Sequence, residues 1–204
     1  MKIVKPSYQI LTELDGKSIL QQIEVIARTC YKSEDKITET SGIALVKNLI
    51  KRGHEAMIEH GPLISIRFIA NRGFTHEIVR MRLASFAQES TRYCNYSKGK
   101  FDGNVTFCMP EYIIDKDQFK KHCEKAETAY LNMIEEGYPA QIARDILPIG
   151  VKAEIVVSTN IREWRHILKL RTDNASHPIM HELMRPLLKD LQNKVPILFD
   201  DITY

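Results

Sequence analysis

"THEIVRMRLASFAQESTRYCNY", residues 75–96, gathers Arg80, Arg82 and Arg92 with Glu77, Ser85, Gln88, Glu89, Ser90 and Thr91 between them. Isolated apolar residues, among them Ile78, Val79, Met81, Leu83 and Phe86, separate these polar groups. The spacing predicts a helix over residues 74–83 that opens into a polar loop. On such a helix Arg80 and Arg82 stand about 200° apart and face different atoms. The stretch "ASFAQESTRY" that follows offers two hydroxyls, backbone N–H groups and the fork of Arg92, the equipment for holding a phosphate. Charge pattern alone favours a plainer reading, a solvated loop whose arginines pair with Glu77 and Glu89. The order of the residues decides against it.

Outward from this stretch, strands and helices alternate without a regular βαβ rhythm. Residues 2–8 read as a short strand. Ile19, Ile23 and Ile26 have helical spacing over 18–28, and Thr40 or Ser41 can cap a helix through Arg52, with Gly53 just past its end. In "PLISIRFIA" the alternation of Ile64, Ile66, Phe68 and Ala70 predicts a strand. "NVTFCMP" and "GVKAEIVVST" read as two more. A long amphipathic helix is expected over 115–136, capped by Asp115 and stopped at Gly137. Asn160 caps another running to about Leu170, and a last helix covers roughly 178–194. The pattern predicts one α+β domain over residues 1–204.

Composition sets looser bounds. The chain has 204 residues, 44% of them hydrophobic, and a formal net charge of +3. That charge is too mild to name nucleic acid as a partner and suits small anionic ligands. No apolar run approaches a membrane span of about 18 residues, and residues 1–8 lack the form of a signal peptide. Cys30, Cys94, Cys108 and Cys123 show no C-x-x-C spacing, so reduced thiols and a cytoplasmic protein are expected.

Arg80-Met81-Arg82, then seven residues, then Ser90-Thr91-Arg92-Tyr93, strongly resembles the R-H-R…S signature of the flavin-dependent thymidylate synthases. The resemblance continues upstream in "ARTCYKSE" and "GHEAMIEHGPLISIRF". Downstream it continues in "ARDILPIGVKAEIVVSTNIREWRHILKLR", which matches A-R-x-x-L-P, N-x-R-x-x-x-H/N and L-R. It covers about residues 25–185. It implies that dUMP is methylated to dTMP with methylenetetrahydrofolate as carbon donor and FAD carrying reducing equivalents from NADPH. It also implies a homotetramer with active sites at subunit interfaces, and neither nucleic acid nor membrane as partner. Two features of the residues agree. No G-x-G-x-x-G follows a strand, so a dinucleotide would bind outside a Rossmann frame. No cysteine sits in a recognisable nucleophile setting, and hydride delivery from a flavin needs none.

By the same resemblance, dUMP is held by Gln88, Glu89, Ser90, Thr91 and Arg92 of one subunit. Glu77 and Arg80 close the site, and Arg144 reaches in from another subunit. Arg171 is implied as the catalytic residue, a guanidinium against the uracil that favours its N3-deprotonated form. Flavin contacts are implied for His54, Arg80, Met81, Arg82, Gln88, Asn160, Arg162 and His166. Arg162 and His166 are four apart and share a helix face.

Plainer readings stand beside these. His54 and His60 around "EAMIE" miss the H-E-x-x-H spacing. His177 and His181 form an i, i+4 pair but lack a convincing third ligand, so no metal is expected. Arg162, Arg165 and Lys169 also describe a basic helix face, with Trp164 and Leu168 in the core. Ser90 has no predictable general base beside it and reads as a phosphate or ribose contact rather than a nucleophile. The chain departs from the family pattern at Met81, in place of the usual histidine, at Ala56, and in the longer "TDNASHP" after Arg171, which carries His177. These departures bear on flavin affinity. They leave open a second reading, a flavin- or nucleotide-binding relative impaired in turnover. A basic nucleic-acid-binding module ranks last, because exposed aromatics and a strong basic excess are missing.

Overall fold

The computed structural model describes residues 1–204. Two strands open the chain, β1 (Lys2–Val4) and β2 (Ser7–Ile10), where the sequence predicted one. Pro6 lies between them and has no N–H for a ladder, so the pairing changes there. Next come α1 (Gly16–Thr29) and α2 (Ser41–Lys51). Asp15 caps α1 by accepting from Lys17 N at 3.1 Å. Thr40 takes the N-cap position of α2 without a side-chain bond, and Ser41 Oγ instead donates to the buried Glu24 at 2.9 Å. Gly53, at φ +71°, supplies the left-handed conformation just past α2. A 3₁₀ stretch (Glu55–His60) leads into β3 (Ile64–Asn71).

Two corrections fall in the arginine-rich stretch. The helix there, α3, runs only Arg72–Ile78, not to residue 83. Arg80 N bonds Glu77 O at 3.2 Å, the tighter i to i−3 pattern of a closing turn. The β-branched pair Ile78-Val79 does nothing to extend the helix. The expected polar loop contains a strand, β4 (Ser85–Gln88). Only four residues long, it draws its pairing from the sheet rather than from its own pattern.

β5 (Thr106–Cys108), α4 (Lys116–Glu135), the short α5 (Ala140–Ala143), β6 (Lys152–Thr159), α6 (Ile161–Arg171) and α7 (Pro178–Lys194) complete the chain. Asp115 caps α4 through Gln118 N at 2.8 Å, and Asn160 caps α6 through Glu163 N at 2.9 Å. β1 pairs parallel with β5, and a four-stranded sheet has the order β2-β3-β6-β4. The fold is α+β and has no Rossmann crossover.

Packing groups the residues into two units. The first comprises 1–8, 67–80 and 86–156, the second 9–66, 81–85 and 157–204. In the first, Tyr96, Val105, Phe107, Cys123, Tyr130 and Val151 form a buried cluster, and Tyr96 lies edge-on to Phe101 and Tyr130. Burial raises the Cys123 thiol to about 11, so it stays protonated and packs as a small hydrophobe. In the second unit α6 and α7 pack together. Trp164 and Leu168 are buried, and Trp164 Nε1 donates to Ile64 O at 2.9 Å.

Arg165 is only 1% exposed. It donates to Asp201 at 2.6 and 2.7 Å, to Glu55 at 3.2 Å, and to the Leu198 carbonyl. The basic face of α6 is therefore split: Arg165 ties the C-terminal segment to the core, while Arg162 and Lys169 face solvent.

Candidate functional site

In the first unit the loop after β4 is a tight turn. Glu89 N bonds Glu154 O at 2.8 Å, and Ser90 O accepts from Tyr93 N at 3.3 Å and Cys94 N at 2.9 Å. Arg92 N donates to Ser90 Oγ at 3.3 Å. The turn buries Thr91, at 4% exposure, and leaves Arg92 and Tyr93 outside with the guanidinium 5.3 Å from the Tyr93 ring centre. Arg92 Nε also reaches Gln141 Oε1 at 3.3 Å.

Two more cations meet at Thr91. Arg144 Nη1 donates to its Oγ1 at 3.1 Å and Arg72 Nη2 at 3.4 Å. They line a pocket of about 280 Å³ that also takes in His76, Leu147 and Pro148. The resemblance implied that Arg144 joins the loop residues from another subunit. Within the chain it lies beside Thr91, where the segment from α5 through a 3₁₀ turn (Arg144–Ile146) packs on α4.

Gln88 Nε2 donates to Thr75 Oγ1 at 3.3 Å. Glu89 pairs with Lys152 at 2.7 Å, both side chains largely buried, so its carboxylate is already neutralised within the chain. Glu77 is half-buried in the last turn of α3, and Arg80 is exposed. Because Arg80 and Arg82 follow the helix, the 200° separation does not apply. Both side chains lie outside while Met81 between them turns inward.

In the second unit Met81 is 5% exposed, and its thioether sulfur lies 3.9 Å from Arg171 Nη2. A thioether is a weak acceptor and carries no charge to set against the guanidinium. Thr159 Oγ1 donates to Leu83 O at 2.5 Å and fixes the turn that carries Met81. Arg171 is the last residue of α6. On the exposed face of that helix Arg162 and His166 line a pocket of about 570 Å³ with Asn160, Lys169, Glu55 and Glu59.

Some expected ligands are already engaged. Arg162 pairs with Glu59 at 2.5 Å, and Asn160 spends its carbonyl oxygen on the cap of α6. His54 lines a different pocket of about 630 Å³, with Tyr31, Leu45, Ala56 and Met57. His177 caps α7 by accepting from Ile179 N at 3.2 Å, and His181 bonds Asp173 O at 2.7 Å. That pair serves the helix start, which explains its spacing without a shared ligand.

Sequence reading missed Arg72. It stands alone at the strand-to-helix junction, outside any motif, and no pattern in its neighbours marks it.

The family model described as thymidylate synthase complementing protein matches residues 14–197. A flavin-dependent thymidylate synthase of Corynebacterium glutamicum is 30% identical over 208 residues, covering 93% of this chain and 81% of that one. One from Geobacter sulfurreducens is 25% identical over 185 residues, covering 88% and 80%. Among solved structures, a UMP/dUMP methylase of Streptomyces cacaoi bound with 5-Br dUMP superposes with a TM-score of 0.78. It is 19% identical, covering 98% of this chain and 96% of that one.

Proposed function

The chain belongs to the flavin-dependent thymidylate synthases, the family of the thymidylate synthase complementing protein, and from that premise we propose that it methylates dUMP to dTMP. The observation that carries this reading is the family match over residues 14–197, a span that contains the arginines of the resemblance: Arg80, Arg82, Arg92, Arg144, Arg162 and Arg171. When bound, FAD supplies the hydride chemistry, with NADPH as reductant and methylenetetrahydrofolate as carbon donor.

The chain's own residues bind and polarise. Arg92, Ser90, Thr91, Gln88 and Arg144 hold the phosphate and ribose, where charge-assisted bonds orient the nucleotide. Glu77 and Arg80 close on it. Glu89 acts through its pair with Lys152, keeping the loop in place. Arg171 stands against the uracil and stabilises negative charge at N3 and O4, which raises electron density at C5. No thiolate is needed, and the buried Cys123 has its thiol pushed the wrong way for a nucleophile.

For FAD the donor set fits in kind. Arg162, His166 and Lys169 offer cations and a ring nitrogen toward one pocket. Glu59 is the counter-charge a pyrophosphate displaces, and both members of that ion pair are about half exposed, so the displacement is inexpensive. Arg80, Met81, Arg82, Gln88, Asn160 and His54 complete the proposed flavin shell, drawn from several copies of a homotetramer. Met81 keeps its packing role and gives up the polar contact a histidine makes. The second reading, a flavin- or nucleotide-binding relative impaired in turnover, parts from the first in forming no dTMP while still binding flavin or nucleotide.

The protein is expected to purify yellow, as an oligomer, and to lose its flavin when Arg162 and His166 are both replaced by alanine. Absorbance spectra with light scattering measure both. A monomer holding stoichiometric FAD contradicts sites shared between copies.

A further inference from the structure

α6 ends at Arg171, and the last carbonyls of a helix have no partner inside it. Two of them are closed by hydroxyls of the segment that follows, where the chain departs from the family pattern. Leu168 O accepts from Thr172 Oγ1 at 2.7 Å as well as from Thr172 N at 3.0 Å, and Leu170 O accepts from Ser176 Oγ at 2.8 Å. Asp173 folds the segment into a turn. Its Oδ1 accepts from Ala175 N at 2.8 Å and its carbonyl from Ser176 N at 3.0 Å.

The first two carbonyls beyond Arg171, those of Thr172 and Asp173, are held from α7. Arg185 Nε donates to Thr172 O at 3.1 Å, and its Nη2 to Asn174 Oδ1 at 2.6 Å. His181, four residues earlier and on the same helix face, bonds Asp173 O at 2.7 Å. The Arg185 guanidinium also lies 4.7 Å from the centre of the Tyr204 ring, a cation–π contact that steadies the fork. A cation at this end of α6 complements the helix dipole as well.

Helix ends fray, and Arg171 is the last residue of its helix. A last turn free to open swings the Arg171 side chain with it. Displacing a group by about 1 Å from its working position costs on the order of 100-fold in rate.

We propose that Arg185 is a positioning residue for Arg171: by fixing the carbonyl that follows Arg171, it holds the guanidinium where it meets the developing charge of the substrate. This rests on the reading of Arg171 as the group set against the uracil of dUMP. Arg185 touches neither substrate nor flavin in this role, and its two donors act only through the backbone and Asn174.

The test is a double-mutant cycle on FAD-loaded, full-length protein, with Arg185→Met and Arg185→Lys each made in the native and the Arg171→Ala background. Turnover at saturating dUMP and equilibrium dUMP binding are measured for each. Arg185→Met is expected to lower turnover by roughly 10- to 100-fold in the native background and by less than about twofold in Arg171→Ala. Its dUMP affinity is expected to stay within about threefold of native. Arg185→Lys keeps the charge and loses the fork, so it falls between native and Arg185→Met, and it carries the same cycle where Arg185→Met does not fold. The same fold loss in both backgrounds means that Arg185 serves the fold at large, and overturns the proposal. So does turnover within about twofold of native in both Arg185 variants, or dUMP affinity falling in step with turnover. Failure of the underlying reading shows separately, in Arg171→Ala alone. Native turnover in that variant removes Arg171 from the chemistry and the proposal with it.

Discussion

Arg171→Ala is expected to lower turnover by roughly 10²- to 10³-fold, the cost of removing one preorganised group from a developing charge. Its dUMP affinity is expected to change by less than about tenfold. The contrast comes from where each charge acts. On the proposed reading Arg171, at the end of α6, faces a ring whose negative charge grows as the reaction proceeds. On the same reading Arg92 faces a phosphate that is charged throughout, so Arg92→Ala is expected to lose affinity first and turnover at saturation last. The Met81 sulfur, 3.9 Å from Arg171 Nη2, brings no countercharge of its own. Steady-state rates together with equilibrium dUMP binding measure the division. Unchanged turnover in Arg171→Ala, or equal loss of turnover in both variants with binding intact, contradicts it.

Arg165→Met is expected to destabilise the fold by about 3 kcal/mol. The loss leaves Asp201 and Glu55 with only the exposed Lys169, 3.9 Å from each, as a shared cation, and the Leu198 carbonyl without its donor. Removing one partner of a buried pair costs about 3–5 kcal/mol, and the low end applies because the Asp201 side chain is 42% exposed and can rehydrate. The pair also makes stability depend on pH. Burial pushes the Asp201 carboxyl up, but the hydrogen bonds and charge of Arg165 outweigh it and hold the group below its usual value. A carboxyl depressed in the folded state stabilises fully above its unfolded pKa of about 3.9 and stops doing so as the pH falls through its folded value. Native protein should therefore lose stability more steeply than Arg165→Met below about pH 4. Denaturant melts at neutral and acid pH measure both effects. A difference under about 1 kcal/mol at neutral pH contradicts the account.

The elements legible in the sequence are those whose own residues specify them. Asp115 and Asn160 cap α4 and α6 where a capping carboxylate and amide stand before helical spacing. β3 shows its alternation because one face is buried at Ile64, Ile66, Phe68 and Ala70. β4 was not legible, since Ser85–Gln88 is too short for a period and its strand conformation comes from its neighbours in the sheet. The end of α3 was misplaced because Met81 continues a helical spacing that the backbone abandons at Val79.

The site divides in the same way. Arg80, Ser90, Arg92, Arg144 and Arg171 were singled out through motif order, which records chemistry. Arg72 was not, because its partner Thr91 and its co-donor Arg144 meet it only in the folded chain. Sequence spacing cannot tell a contact within a chain from one between chains.

The central claim, flavin-dependent methylation of dUMP, is tested most directly by product formation. Purified protein is incubated with FAD, NADPH, methylenetetrahydrofolate and dUMP, and dTMP is quantified. The account predicts dTMP in several-fold excess over protein, abolished when NADPH is omitted or when the protein is first stripped of its FAD. Protein that binds both FAD and dUMP yet forms no dTMP in the complete mixture contradicts it.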